Sequence, residues 1–378
     1  MFFIIILENQ IVSPLLLKTA IDLKLPIYYD TDNRYPIIRE ADKVLTNSES
    51  CLTVLEKEGP FHPFTTASKL VKNKARFRQF LSSVYPDYYF RLVSLEDLLQ
   101  VNKEEIPFPV VIKPNKGYSS IGVYIIETEQ EWDQAVESLY ADLHLTKNTY
   151  SPTVVNGEEI IIEEWIDGDE YAVDCYVTPS GKPVVLNFLK RTFINNRDTS
   201  DRIYFTSKQV INEIKEEIET FLHMLSERMD VKNFPFHLEV RKSRKGIRAI
   251  ELNPLRFAGA GTTDLSHHAF GINGAEHYFK NKVPDWDDLL SQKGNEVYGF
   301  FCAEIPLHIS KHLVESINHE GLMDKFSQVL EYRAIQASND RTFAIIFFQT
   351  SDMDELQALL HLDLSTFIRL KQTEETAV

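Results

Sequence analysis

The stretch Val110–Ile126, VVIKPNKGYSSIGVYII, constrains this chain most. Two apolar, β-branched runs flank a short polar loop that carries Gly117 and Gly122. Runs of this kind read as strands. Glycines between them supply the positive φ that a tight connection needs. Taken alone, the segment is a glycine-bearing hairpin in which Lys113 closes the first apolar run. The two glycines also have the G-x-x-x-x-G spacing of a phosphate-binding P-loop. That motif requires Lys-Ser or Lys-Thr directly after the second glycine, then a helix. Val123 and Tyr124 stand there instead, and Val123, Ile125 and Ile126 continue as strand.

The flanking sequence sets the hairpin in a larger α/β and α+β chain. Phe2–Leu7 and Leu25–Tyr29 read as buried strands around a helix near Leu15–Leu23, a β-α-β opening that predicts a parallel sheet. Glu58–Phe64, EGPFHPF, reads as a linker. Thr66–Leu81 reads as one basic helix whose cations form a solvated face. A helix is expected over Glu127–Leu139. Three strands follow in the segment from Asn156 to Leu189, the second and third separated by a Pro-Ser-Gly turn. Val210, Ile211, Ile214, Ile218, Phe221, Leu222, Leu225 and Met229 recur at helical spacing and predict an amphipathic helix over Ser207–Met229. Two strands, FPFHLEV and GIRAIELN, joined by RKSRKG, come next. From about Gly294 the pattern returns to strand, helix, strand, helix, with no internal repeat.

At 378 residues the chain accommodates two or three domains. Forty basic against 56 acidic residues give a net charge of −16, which disfavours nucleic acid and anionic membranes as general partners. An anionic small molecule stays compatible if basic residues converge locally. Cys51, Cys175 and Cys302 are scattered and odd in number, which argues against a disulfide framework or a zinc site. The opening MFFIIILEN is short for a signal peptide, and no apolar run reaches membrane-spanning length. These features predict a cytoplasmic protein.

Chemistry gathers in the late strand pair. Alternate strand residues share a face, so Glu239 lies with His237 and Arg241, and Glu251 with Asn253. If the strands pair, two carboxylates and an amide converge, an oxygen-rich set suited to Mg²⁺. Two solvent-facing strands with scattered polar residues would read the same way. Ser266–His268 offers two histidines but no third ligand at a suitable spacing, so a metal reading fails there.

Four features now stand in order: a basic helix with Lys74, the Lys113 strand with its small-residue loop, the run IIEEWIDGDE, and the Glu239/Glu251/Asn253 pair. This order resembles the ATP-grasp superfamily over roughly residues 66–270. The resemblance implies an ATP-grasp fold with a short N-terminal parallel α/β unit (1–65), the ATP-grasp domain (66–285, lid subdomain about 105–165) and a small α+β C-terminal module (286–378). It implies that Lys74, with Lys69 as a weaker candidate, and Lys113 hold the nucleotide phosphates. The loop Asn115–Gly122, with Gly117, Ser119, Ser120 and Gly122, becomes a mobile lid over them. Glu163, Glu164, Trp165 and Ile166 would hold adenine, with Glu170 on the ribose. Glu239, Glu251 and Asn253 match the Mg²⁺ ligands, with Mn²⁺ as a substitute. Where the family has Asn-Pro-Arg, this chain reads Asn253-Pro254-Leu255-Arg256. Arg256, Arg191 and Lys113 are the expected catalytic residues, and His237 lies on the metal face.

The implied function is an ATP-dependent ligase that activates a small carboxylate as an acyl phosphate and joins it to an amine, releasing ADP and phosphate. A homodimer is compatible with this reading. A bicarbonate-activating, biotin-carboxylase-like enzyme and a non-catalytic ATP-binding regulatory protein are the alternatives.

Overall fold

The computed structural model describes residues 3–8, 11–117, 122–146, 156–195, 197–198, 200–336 and 341–371. The chain opens with strands β1 (Phe3–Leu7), β2 (Ile27–Tyr29) and β3 (Lys43–Thr46), which form a parallel sheet in the order β2-β1-β3. Ile4–Leu7 are buried, as a parallel strand covered on both faces requires. The helix Pro14–Asp22 starts where Ser13 caps it, its hydroxyl accepting from the Leu16 amide, and Pro14 occupies the first turn. β1, the helix and β2 are legible in the sequence; β3, whose four residues carry too short a pattern, is not.

The expected linker Glu58–Phe64 is shorter than read. Helix Leu52–Glu58 ends at Gly59, and Pro63 opens helix Pro63–Lys72. The predicted single helix Thr66–Leu81 is two, Pro63–Lys72 and Lys74–Leu81. Asn73 leaves helical geometry (φ −90°, ψ 101°), and its side chain accepts from the Arg76 amide to cap the second helix. The expected solvated basic face is also corrected: Lys72, Lys74 and Arg78 are buried.

Strands β4 (Phe90–Ser94), β5 (Val110–Lys116), β6 (Tyr124–Ile126) and β7 (Asn156–Glu164) form an antiparallel sheet, order β4-β7-β5-β6. The hairpin is there, with Val110 opposite Ile126. Lys113 does not end its strand, however: β5 continues to Lys116. Val110 and Ile112 point into a separate small core with Trp132 and Leu139, the latter two on helix Trp132–Thr146. By alternation Val111 and Lys113 face the other way.

The largest sheet has eight antiparallel strands: β8 (Asp169–Val177), β9 (Pro183–Arg191), β10 (Ile203–Ser207), β11 (Phe234–Ser243), β12 (Gly246–Pro254), β13 (Val297–Glu304), β15 (Val329–Ala334) and β16 (Thr342–Thr350). The order is β12-β11-β8-β9-β10-β13-β16-β15. A short antiparallel pair, β14 (Val314–Ile317) and β17 (Ile368–Leu370), forms a separate two-stranded sheet. Helix Lys208–Met229 buries Val210, Ile211, Ile214, Ile218, Phe221, Leu222 and Leu225 of the predicted stripe and leaves its last member, Met229, partly exposed. The segment 286–378 does not stand apart as a module: β13, β16 and β15 extend the central sheet, joined through β10.

Gly168 turns the chain from β7 into β8. Its φ is +142°, and a Cβ there would lie 2.0 Å from the Lys242 carbonyl oxygen. Gly168→Ala will therefore push β11 away from the strand junction and destabilise the protein by more than about 1 kcal/mol, read from urea unfolding.

Candidate functional site

A cleft runs between the small sheet and the β8, β9, β11, β12 side of the large one. Lys74, Lys113, Glu163, Arg241, Glu239 and Glu251 line it, together with Gly117, Glu164–Ile166, Glu170 and Arg191. Basic residues thus converge locally on a chain that is strongly acidic as a whole.

At one end Glu163 lies between two cations. Arg78 grips it with Nε at 2.7 Å and Nη2 at 3.2 Å, and Lys113 Nζ lies 2.6 Å from Oε1. Burial alone would raise the Glu163 carboxyl. The two cations outweigh it and hold the group down at about 2. Alternate cleft-facing positions of β5 explain Lys113. Lys74 and Arg78 are one helical turn apart and share a face, which was a signal for Arg78 that sequence reasoning passed over.

At the other end Glu239 and Glu251 stand opposite each other on β11 and β12. Lys74 Nζ lies 3.0 Å from Glu251 and 3.0 Å from the Gly117 carbonyl. Lys72 Nζ lies 3.2 Å from Glu251, 3.4 Å from Asn253 Oδ1, and pairs with Glu49. Asn253 Nδ2 donates to Glu239 at 3.2 Å. Despite burial, Lys74, Lys72 and Lys113 keep Glu251 well below the usual carboxylate range. Burial and the Glu251 charge push Glu239 up to about 7. His237 gives its ring Nδ1 to Asp174 at 2.8 Å and turns Nε2 toward Glu239 at 3.7 Å. Asp174, fully buried, also accepts from the Ala258 amide at 2.7 Å.

The flank of the cleft is built on arginine. Glu170 is held by Arg191 at 2.8 Å and Arg241 at 3.1 Å, so neither of its oxygens faces the cleft alone. The Arg241 guanidinium stacks 4.0 Å from the centre of the Trp165 ring and donates to the Ile166 carbonyl at 3.1 Å. The Trp165 amide is tied to the Pro109 carbonyl, and the Glu164 carbonyl accepts from Tyr88. Arg191, an expected catalytic residue, has its side chain enclosed among Glu170, Asp201 and the Ser200 carbonyl.

Lys69, the weaker lysine candidate, is exposed, whereas Lys72, which the sequence reading did not name, is buried at the site. Arg256 lies outside the residues lining the cleft. Its side chain pairs with Glu49 at 3.0 Å and the Phe257 carbonyl. The extra residue explains this: Leu255 is buried with φ +59° and turns the chain before Arg256. Ser119 and Ser120 lie outside the described residues. Gly122 has φ +67°, and a Cβ there would meet Leu139 at 2.9 Å. Glu49, Asp174 and Arg241 also belong to the ion network. Asp174 follows Glu170 at strand spacing, and Arg241 follows Glu239, so periodicity offered both.

A family model for the ATP-grasp domain matches residues 106–264. The chain carries an ATP-grasp domain. A D-alanine–D-alanine ligase of Anaplasma marginale is 32% identical over 110 residues, a match that spans 29% of this chain and 28% of that ligase. Among solved structures, the L-amino acid ligase of Bacillus licheniformis superposes with a TM-score of 0.65 at 16% identity, over 99% of each chain. A carboxyaminoimidazole ribonucleotide synthase solved with ATP gives 0.63 at 13% identity, over 95% of this chain and 96% of that one. At such identities the likeness shows the ATP-grasp fold, with its large antiparallel sheet. No described helix is long and apolar enough to cross a membrane.

Proposed function

We propose that the chain is an ATP-dependent carboxylate–amine ligase. The supporting observation is the convergence, in one cleft of an ATP-grasp domain, of Lys74 and Lys113 with the facing carboxylates Glu239 and Glu251. A triphosphate enters with several negative charges. Lys74 and Lys113 supply compact point charges held by buried stems. The Glu164–Ile166 backbone takes the adenine edge, with the Trp165 indole braced by Arg241. Glu170, clamped by Arg191 and Arg241, reaches the ribose only through those arginines.

The donor set fits Mg²⁺. Among the described residues no three His, Cys, Asp or Glu side chains are arranged to hold a metal ion by themselves. Two carboxylates and one amide are what a nucleotide-bound Mg²⁺ asks of a protein, since phosphate oxygens and water complete its shell. Two partly buried carboxylates face each other, with Glu239 raised to about 7. That strain is relieved by cationic charge between them. Glu239, Glu251 and Asn253 would hold the ion, which when bound neutralises charge on the transferring phosphoryl group.

A substrate carboxylate oxygen bonds to the γ-phosphorus as the bond to the β–γ bridging oxygen breaks and ADP leaves. An amine then attacks the acyl carbon, phosphate departs, and the nitrogen loses a proton. The protein's part is positioning and charge stabilisation. ADP release should require ATP, Mg²⁺, a carboxylate and an amine together, with an amide identified by mass spectrometry. Turnover driven by bicarbonate alone would favour the carboxylase alternative. Tight ATP binding with no ADP release from any pairing would sink the enzyme reading.

Lys113→Met will keep the fold and weaken ATP binding by about tenfold or more, because one charge on the phosphates is lost while Glu163 keeps Arg78. Unchanged affinity by calorimetry removes Lys113 from the site.

A further inference from the structure

Lys72 holds a place that phosphate binding does not explain. Lys74 and Lys113 line the cleft, and Lys72 does not. It reaches the carboxylate pair from outside the cleft lining, from the last turn of helix Pro63–Lys72. Its Nζ lies 3.2 Å from Glu251 Oε1 and 3.4 Å from Asn253 Oδ1. Those are two of the three side chains that would hold Mg²⁺. Lys72 is not a loose surface chain folded inward. It is 8% exposed, and its ammonium also pairs with Glu49, itself buried. Arg256 Nη2 grips Glu49 at 3.0 Å, so the partner that anchors Lys72 is itself fixed.

The carboxylate pair thus offers two places for positive charge. Lys72 and Lys74 both sit on Glu251 Oε1, and neither sits on Oε2. Among the described residues no lysine or arginine pairs with Glu239, whose one ion-pair neighbour is His237 Nε2 at 3.7 Å. The first place, at Glu251 Oε1 and Asn253 Oδ1, is filled by ammoniums built into the chain. The second, at Glu239 and Glu251 Oε2, is not. A divalent ion brought to the first place would stand against Lys72 over the same oxygens, and like charges repel strongly away from bulk water. A carbonyl oxygen carries two lone pairs, so Asn253 can serve Lys72 and one ion at the second place together.

We propose that Lys72 is a built-in cation of this site, filling the place of a second divalent ion, so that the chain works with a single Mg²⁺ beside its nucleotide. The proposal rests on the nucleotide-site reading above and holds whichever carboxylate and amine the chain uses. Lys72 is a positioning residue. It acts through Glu251 and Asn253, which it holds in place for the one ion. A compact ammonium on a buried stem supplies fixed charge that is independent of the ion concentration. ADP release should therefore follow the binding curve of one ion.

The test counts ions. Equilibrium dialysis against Mn²⁺ and a non-hydrolysable ATP analogue gives the manganese and the nucleotide held by the protein, and electron paramagnetic resonance shows whether bound ions are coupled. The parent should hold one Mn²⁺ per nucleotide, with the spectrum of an isolated ion. Lys72→Met keeps the stem and removes the charge. It should hold two, with the spectrum of a coupled pair, and Lys72→Arg should return the ratio to one. In turnover, the dependence of ADP release on free Mg²⁺ should be hyperbolic for the parent. For Lys72→Met it should become sigmoidal, with half-saturation raised several-fold. Lys72→Gln replaces Lys72→Met if that variant does not fold. Two coupled ions in the parent overturn the proposal with no variant needed. One ion in both the parent and Lys72→Met overturns it too, and leaves Lys72 as a strut between Glu49 and β12. Nucleotide binding without ADP release from any carboxylate and amine overturns the ligase reading, and the ion count still decides the role of Lys72. No nucleotide on the protein overturns the site reading and this proposal with it.

Discussion

Glu251→Gln will leave ATP bound and cut ADP release by at least about a thousandfold. Glu251 is where the site's charges meet. It faces Glu239 across the strand pair and holds Lys72 at 3.2 Å and Lys74 at 3.0 Å. Glutamine keeps the shape and removes the charge that both ammoniums and a divalent ion need. The end of the cleft proposed to take adenine, around Glu164–Ile166, is held separately, by the Trp165 amide on the Pro109 carbonyl and the Tyr88 hydroxyl on the Glu164 carbonyl, so nucleotide binding should weaken without disappearing. Calorimetry for ATP and a coupled assay for ADP, both across a Mg²⁺ titration, separate the two effects. Normal turnover at ordinary Mg²⁺ removes Glu251 from any metal role, and the reading of this strand pair goes with it.

Periodicity carried much of the architecture. The stripe from Val210 to Leu225 named the residues that helix Lys208–Met229 buries, because a helix against a sheet has one apolar face. Period-two spacing likewise put Glu239 with His237, and Glu251 with Asn253, before any pairing was known. What period cannot give is the partner. Glu163 has a cleft-facing position in the sequence pattern, yet its neighbours Arg78 and Lys113 come from elements 85 and 50 residues away in the chain. The same limit hid the fate of residues 286–378. VYGFFCAEIPL reads equally well as a strand of its own module or as a continuation of a distant sheet, and only the pairing of β13 with β10 decides. The break at Asn73 was local and legible: an N-cap residue followed by Lys74 interrupts an otherwise helical pattern, and it sets Lys72 and Lys74 on either side of a turn, both reaching Glu251. Leu255 is the converse case. An extra residue in a familiar motif was visible, but the left-handed turn that swings Arg256 onto Glu49 was not.

The second large effect falls on stability. Glu163→Gln will destabilise the protein by about 3–5 kcal/mol, because it leaves two buried cations without their shared carboxylate. Arg78 and Lys113 are both buried, and Arg78 Nη1 already has no hydrogen-bond partner, so neither cation has a ready substitute. Lys113→Met should cost far less, since Glu163 then keeps its two-point bond to Arg78. The effect has a pH signature. Folding lowers the Glu163 pKa from an unfolded value of about 4.3 to about 2. Its ion-pair contribution is therefore complete above about pH 4.3 and is lost as pH falls toward 2. The stability gap between the parent and Glu163→Gln, measured by urea unfolding, should be flat near neutral pH and narrow below about pH 4. A gap that stays constant down to the acid limit would mean that Glu163 packs by shape alone, and the cation pair at this end of the cleft would then contribute nothing to holding the small sheet against the Lys74–Leu81 helix.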